Sequence, residues 1–453
     1  MTECNQTAFA FEAHFSRRVV ARFDGAWMTT DGGALLLRAV DRKIGLLKRV
    51  RACFHDARNV ERVEHALSEL LAQRIYALAL GYEDLNDHEE LRHDPLLGLL
   101  AGKRELDEPL AGKSTLNRLE LTPAGAALRE RYHKITYSSE ALDALLVEVF
   151  LDSHEQAPAQ IVLDLDVTDT PLHGEQEGRF FQAYYGHYCY LPLYIFCGEH
   201  LLCARLRPSN QDASAGSVAE VERVVRKVRC RWPYVRIVLR ADSGFCREEL
   251  MAWCEKHRVD YVFGFARNSR LRRKIAAQLR EAKREQQRTG KAARVFTEFS
   301  YRTRSSWSRS RRVIAKAEYL EKGENPRYLV TSLGALAWPA QKLYERLYCA
   351  RGEMENRIKE QLSLFSDRLS TETMRANQLR LYFSSLAYVL VHALRRLALA
   401  GTEWAAAQVE TIRLRLLKIA AEVRLTARHV WLRYSRAYPW KALFAAVCAA
   451  LTG

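Results

Sequence analysis

The run IVLDLDVTD, residues 161–169, places Asp164 and Asp166 two positions apart within an apolar, β-branched stretch. On a strand this spacing turns both side chains to one face. An edge strand with solvated carboxylates is the ordinary explanation. A second run, VRIVLRADSGF, weakens it by leading another β-branched strand straight into Asp242 and a Ser-Gly turn. Acids at the ends of buried strands collect at the rim of a sheet, where ligand and catalytic groups gather. The third feature lies in YCARGEMENRIKE, where Arg351, Glu355 and Lys359 recur at four-residue spacing, with Tyr348 one turn earlier. Alone, that is a surface ladder of ion pairs.

Together, three acids from two strands and a later helix can converge on hard divalent cations, which prefer carboxylate oxygen. Two Mg2+ ions about 3.5 to 4 Å apart, with Mn2+ as a substitute, would activate a water or 3′-hydroxyl and stabilise the leaving oxygen of an in-line phosphoryl displacement. The carboxylates repel one another without metal, so metal binding is expected to order the site.

Such a site needs a sheet and a returning helix. IVLDLDVTD reads as a first strand, HYCYLPLYIFCGEHLLCARLRP as two strands joined at Gly198-Glu199, VRIVLRAD as a fourth and VDYVFGFA as a fifth. Helical patterns, DASAGSVAEVERVVRKVRCRW and CREELMAWCEKH, fall between the last three. Three strands, a helix, a strand, a helix and a strand is the order of an α/β, RNase H-like mixed sheet flanked by helices. Residues 293–335 read as an inserted β element, and from Ala340 onward the chain reads as helical, ending in two basic helices. The first 150 residues read mostly as helix, including ALLLRAVDRKIGLL behind a Thr30-Asp31 cap and VEHALSELLAQRIYALALGY. In GKSTLNRLEL, Ser114 or Thr115 is expected to cap a short helix bearing Asn117 and Arg118. The GKST run is no phosphate-binding loop: Asp107 stands where that motif needs glycine, and no strand precedes it.

Composition agrees with a multidomain globular protein: 453 residues, 48% hydrophobic and 27% charged. Lys and Arg outnumber Asp and Glu by 70 to 54, a net charge of +16 that favours a polyanionic partner. Between Ala266 and Lys316, 17 Lys or Arg stand against three acids, so the surplus is concentrated there. A solvated basic face is the plain explanation, but the scarcity of acids favours phosphate contact, with Arg272, Arg273, Lys274, Arg311 and Arg312 as candidates. No segment is apolar enough for a membrane span or signal peptide. Ten scattered cysteines, Cys4 among them, read as reduced thiols of a cytoplasmic protein. Neither Cys53 with His55 and His65 nor Cys189 with His187 has the four ligands of a zinc site.

At these residues the sequence resembles the DDE transposases of bacterial insertion sequences, members of the retroviral-integrase superfamily. The resemblance runs through DGGALLLRAVDRKIGL, DPLLGLLAGKRELDEPLAGKSTLNRLEL, LDLDVTDTPLHGEQEG, YYGHYCYLPLYIF, RIVLRADSGFCREELMAWCE, LYCARGEMENRIKEQ and MRANQLRLYFS. It implies that Asp166, in the triplet closed by Thr168, Asp242 and Glu355 are the catalytic, metal-binding acids, with Asp164 or Asp169 as alternatives for the first. Tyr348, Arg351 and Glu355 fit the Tyr-x2-Arg-x3-Glu part of a signature found in one branch, whose Tyr and Arg are associated with the DNA backbone. That signature continues to a Lys seven positions after the Glu. Leu362 occupies this position, so the lysine's role is absent or passes to Lys359.

The same branch carries a β insertion, in which an exposed Trp307 would stack on a flipped or unpaired base at a DNA end; a core or hairpin tryptophan is the alternative. The resemblance further implies a bacterial, nucleoid-associated enzyme that binds terminal inverted repeats, cuts there with Mg2+, joins 3′ ends to target DNA and works as a homodimer. The expected division is an end-binding region (1–150), the first part of the core (151–292), the β insertion (293–335), the catalytic helix and rest of the core (336–400) and a basic helical end (401–453). A nuclease without strand transfer and a non-catalytic DNA-binding derivative are the rival readings.

Overall fold

The structure is a computed structural model that describes residues 8–123 and 132–453. Cys4 lies outside the described residues, and the other nine cysteines are free thiols.

The N-terminal region is built on helices, chiefly α1 (Leu67–Leu80) and α2 (Ser139–Asp152). α1 is apolar around nearly its whole circumference and accordingly is buried. The Ser138 hydroxyl caps α2 by accepting from the Ala141 amide. Three local readings change. The helix of ALLLRAVDRKIGLL starts at Leu35 behind Ala34, with no side-chain cap from Thr30 or Asp31. The chain enters through an exposed hairpin, Phe9–His14 with Arg17–Ala21. The helix of GKSTLNRLEL starts at Lys113 behind Gly112, with no side-chain cap from Ser114 or Thr115.

The central sheet contains β1 (Gln160–Val167), β2 (Leu193–Cys197), β3 (His200–Arg205), β4 (Arg236–Ala241), β5 (Asp260–Phe265), β6 (Ala293–Tyr301), β7 (Arg311–Leu320) and β8 (Arg327–Thr331). Their lateral order is β3-β2-β1-β4-β5-β8-β7-β6, and a two-residue strand, Gly323–Glu324, adds to β7. The antiparallel β1, β2 and β3 followed by parallel β4 and β5 give the RNase H-like order read from the sequence. The β insertion continues the same sheet, because β8 pairs antiparallel with β5 from Val262 opposite Thr331 to Phe265 opposite Tyr328.

Alternation along β1 and β4 sorts side chains to two faces. Leu163, Leu165, Ile237 and Leu239 pack with residues of α3 (Ser217–Arg231) and α4 (Glu248–Lys256) in one apolar core. α5 (Ala276–Thr289), the long basic helix, lies on β6 and β7. The acid-bearing face is covered by the segment from Leu343 through α6 (Gly352–Leu362) and by α7 (Met374–Leu394), which also meets α1. Towards the C-terminus the expected pair of helices gives way to a hairpin, Ala421–Leu425 with Val430–Tyr434, before the terminal helix Lys441–Thr452. Ala421 and Val423 are buried at two-residue spacing, and this strand pairs with Trp27–Thr29. Among the described residues no helix is long and apolar enough to cross a membrane.

Candidate active site

β1 and β4 are adjacent and parallel, with Asp164 opposite Arg240 and Leu165 opposite Ala241. One residue further, Asp166, next to last in β1, and Asp242, just past β4, therefore stand side by side at the same level. Asp242 leaves its strand in extended backbone, and its Oδ1 accepts from the Gly244 amide at 2.8 Å, closing the Ser-Gly turn. Asp166 stays largely buried; its Oδ1 accepts from the Val167 amide at 2.9 Å, and its Oδ2 from Arg351 Nη1 at 2.8 Å.

Burial raises the Asp166 carboxyl to about 6, with Arg351 opposing the rise and the Asp242 charge adding to it. For an acid raised this way the unfolded chain releases its proton first. Stability therefore falls as pH rises from the ordinary carboxyl range to about 6 and stays lowered above it. Asp166→Asn is expected to lack this loss, so its melting temperature relative to wild type should rise across that window. Parallel melting curves across it would refute the expectation.

The element carrying Tyr348 and Arg351 is not one continuous helix. Leu343–Tyr348 is a π-helical turn, Cys349–Arg351 a 3-10 turn, and only from Gly352 does the backbone settle into α6. Irregular turns of this kind recur at functional sites. Arg351 Nη2 reaches Glu355 Oε1 at 3.3 Å, so this one guanidinium joins Asp166 to Glu355. Glu355 is 55% exposed. Lys359 is exposed on the same helix and Leu362 half-buried. Among the described residues no three His, Cys, Asp or Glu side chains stand close enough to hold one ion together. The structure brings Asp166 beside Asp242 and ties Glu355 to Asp166 through Arg351, and among the described residues the cysteine–histidine groups form no metal cluster either.

A family model for the transposase DDE domain, group 1, matches residues 11–453. The chain belongs to this family. No curated protein matches its sequence. Among solved structures it is similar to a piggyBac transposase synaptic complex with hairpin DNA, at 10% identity and a TM-score of 0.42 over 86% of this chain and 80% of that one.

Two neighbouring acids of the transposase have other partners. Asp164 is buried in a bidentate pair with Arg240, at 2.5 and 2.7 Å, and Arg240 Nη1 also donates to the Leu347 carbonyl at 2.6 Å. This corrects Asp164 as a candidate metal ligand, since its oxygens already hold a buried cation in place. Asp169 Oδ2 lies 2.8 Å from His187 Nε2, beyond the end of β1.

The basic candidates divide. Trp307 is only 4% exposed and packs against Phe265 and Tyr301, so the expectation of a base-stacking aromatic is corrected to a core tryptophan. Arg311 is buried too, paired to Glu248 at 2.6 Å and Glu255 at 2.7 Å, which removes it from the DNA-contacting set. Arg312 is turned inward to the Leu333 and Trp338 carbonyls and to Glu298, and so has no free donor fork for phosphate. Arg272 is exposed but pairs with Glu324 at 2.8 Å. Arg273 and Lys274 remain exposed without an ion-pair partner among the described residues.

Sequence reasoning missed Arg240 and Gly264. An arginine in the apolar run of β4, opposite an acid in the apolar run of β1, was the signal for the first. Gly264 sits in β5, where an added Cβ would lie 2.7 Å from Tyr348 Oη and 2.8 Å from the Ser243 amide nitrogen. A backbone atom that close cannot yield cheaply. Gly264→Ala is expected to cost about 1–3 kcal/mol and to displace the Asp242 turn. A denaturant midpoint and an end-cleavage rate both unchanged would contradict this.

Proposed function

We propose that this transposase binds the terminal inverted repeats of its own element, cleaves the ends by metal-dependent hydrolysis and joins the 3′ ends to target DNA by transesterification. The observation that carries the reading is the side-by-side ending of β1 and β4 in Asp166 and Asp242, with Arg351 and Glu355 standing over them. The donors suit a hard divalent cation: they are carboxylate oxygens, and Asp166 and Asp242 stand at the same level of adjacent strands, where their charges repel. Asp166, Asp242 and Glu355 would hold Mg2+, or Mn2+ in its place, and the ions would supply Lewis-acid stabilisation of the phosphoryl centre.

The chain's own residues prepare the DNA. Exposed Arg273 and Lys274 at the start of the basic helical stretch offer phosphate contacts at one side of the sheet. Tyr348 stands beside Asp242 in the space that Gly264 leaves open, where it would position a strand against the acids. The N-terminal region, 1–150, with Asn117 and Arg118 exposed on the helix from Lys113 to Glu120, is assigned to end recognition and, with a second copy, to pairing the two ends.

The test uses a supercoiled plasmid carrying the sequences that flank the gene, incubated with the full chain and Mg2+ or a chelator. Cuts confined to the element ends and dependent on the ion are expected. Cutting that survives chelation would sink the metal-dependent reading. Pre-cleaved ends that never join to a second plasmid would leave a nuclease without strand transfer.

A further inference from the structure

We propose that Arg351 is a built-in counter-ion that keeps the carboxylates from taking up divalent cations until a DNA phosphate draws it away. This rests on the metal-centre reading above. Both oxygens of Asp166 are engaged, one by the Val167 amide at 2.9 Å and the other by Arg351 at 2.8 Å. The same guanidinium holds Glu355 Oε1 at 3.3 Å. Arg351 holds its positive charge against these oxygens and fixes their orientation, so a cation approaching them meets like charge, and Mg2+ demands near-ideal ligand geometry that the fixed carboxylates do not offer. The charge Arg351 brings opposes the burial and the Asp242 repulsion that act on Asp166, so the guanidinium serves the carboxylates as a partial counter-charge.

The lock is also placed to open. Arg351 ends a 3-10 turn between a π-helical turn and α6, so its backbone is held by the least regular part of the segment. Its side chain is 19% exposed, and among the described residues its hydrogen bonds go only to the two carboxylates. Glu355 stands more than half in solvent and is free to change rotamer. A guanidinium fork matches a phosphate at least as well as two separate carboxylates, so a backbone phosphate entering the cleft competes directly for it. Release of Arg351 frees Asp166 and Glu355 together. Binding of DNA and of cation then favour each other by the same factor, whichever arrives first. The arrangement prevents a freely diffusing enzyme from carrying a loaded cutting centre.

Mn2+ binding to the full chain, followed by electron paramagnetic resonance, tests this without any turnover. DNA-free wild type should bind Mn2+ weakly. Arg351→Gln should bind roughly tenfold more tightly or better, because the competing state is gone. A duplex carrying the flanking repeat should tighten Mn2+ binding to wild type by a similar factor and leave Arg351→Gln unchanged. Arg351→Lys, a point charge that cannot bridge both carboxylates, should fall between the two and provides a second route if Arg351→Gln melts early. Adding Asp242→Asn to Arg351→Gln should remove the gain. Arg351 variants that bind Mn2+ no better than wild type, while DNA still tightens wild type, would overturn the lock and leave the metal centre standing. Absence of Mn2+ binding in every protein, with and without DNA, would overturn the metal centre and the lock with it.

Discussion

Asp164→Ala is expected to lose on the order of 3–5 kcal/mol of folding stability, because it strands a buried cation. Arg240 lies in β4 beneath the covering segment from Leu343, with two of its nitrogens on Asp164 at 2.5 and 2.7 Å and a third on the Leu347 carbonyl at 2.6 Å. Removing the acid leaves the guanidinium in a place water reaches poorly, and no other carboxylate is hydrogen-bonded to it among the described residues. The pair itself is not the source of the stability. Asp164→Leu combined with Arg240→Met should recover much of the loss, as apolar replacements of buried ion pairs commonly do. Denaturant unfolding of the three proteins decides the matter. An Asp164→Ala protein that unfolds like wild type but no longer cuts DNA would return Asp164 to the list of metal ligands.

Asp242→Asn has the opposite signature. The amide oxygen can still accept from Gly244, so the turn after β4 survives, and the charge repelling Asp166 disappears. Folding should therefore be nearly unaffected. A metal-assisted displacement draws several kcal/mol from its ions, so loss of a ligand carboxylate should lower the end-cleavage rate about a thousandfold or more. Initial nicking rates and a melting curve on the same preparation measure both halves of the expectation. A variant retaining most of the wild-type rate would exclude Asp242 from the chemistry.

What could be read from the chain depended on whether the signal was local. β1 and β4 were legible because an acid at the end of a β-branched run breaks the apolar pattern at one position. The order of the five core strands followed from alternation and turns for the same reason. Trp307 was not legible: RTRSSWSRSRR is polar all around it, yet the hairpin folds the indole back onto Phe265 and Tyr301. Arg311 and Arg312 looked like part of a basic patch because their acid partners come from elsewhere in the chain, Glu248 and Glu255 on or beside α4 and Glu298 across the hairpin. The C-terminal hairpin was hidden by the Leu- and Arg-rich tract before it, which keeps a helical spacing up to the point where the strand begins. Arg351 was seen as one rung of a surface ladder, since nothing in its own segment indicates that Asp166 would lie within reach.

The pairing of β8 with β5 also sets a schedule for synthesis. The edge of β5 stays bare on the ribosome until the basic helix and the whole hairpin of β6 and β7 have been made, since only then does Arg327–Thr331 arrive to close it. A nascent chain halted in that interval presents an open edge to its neighbours on a polysome, a ready template for strand pairing between chains. The insertion thus behaves as the seam of the sheet, and trimming it to make a smaller enzyme would reopen that edge permanently.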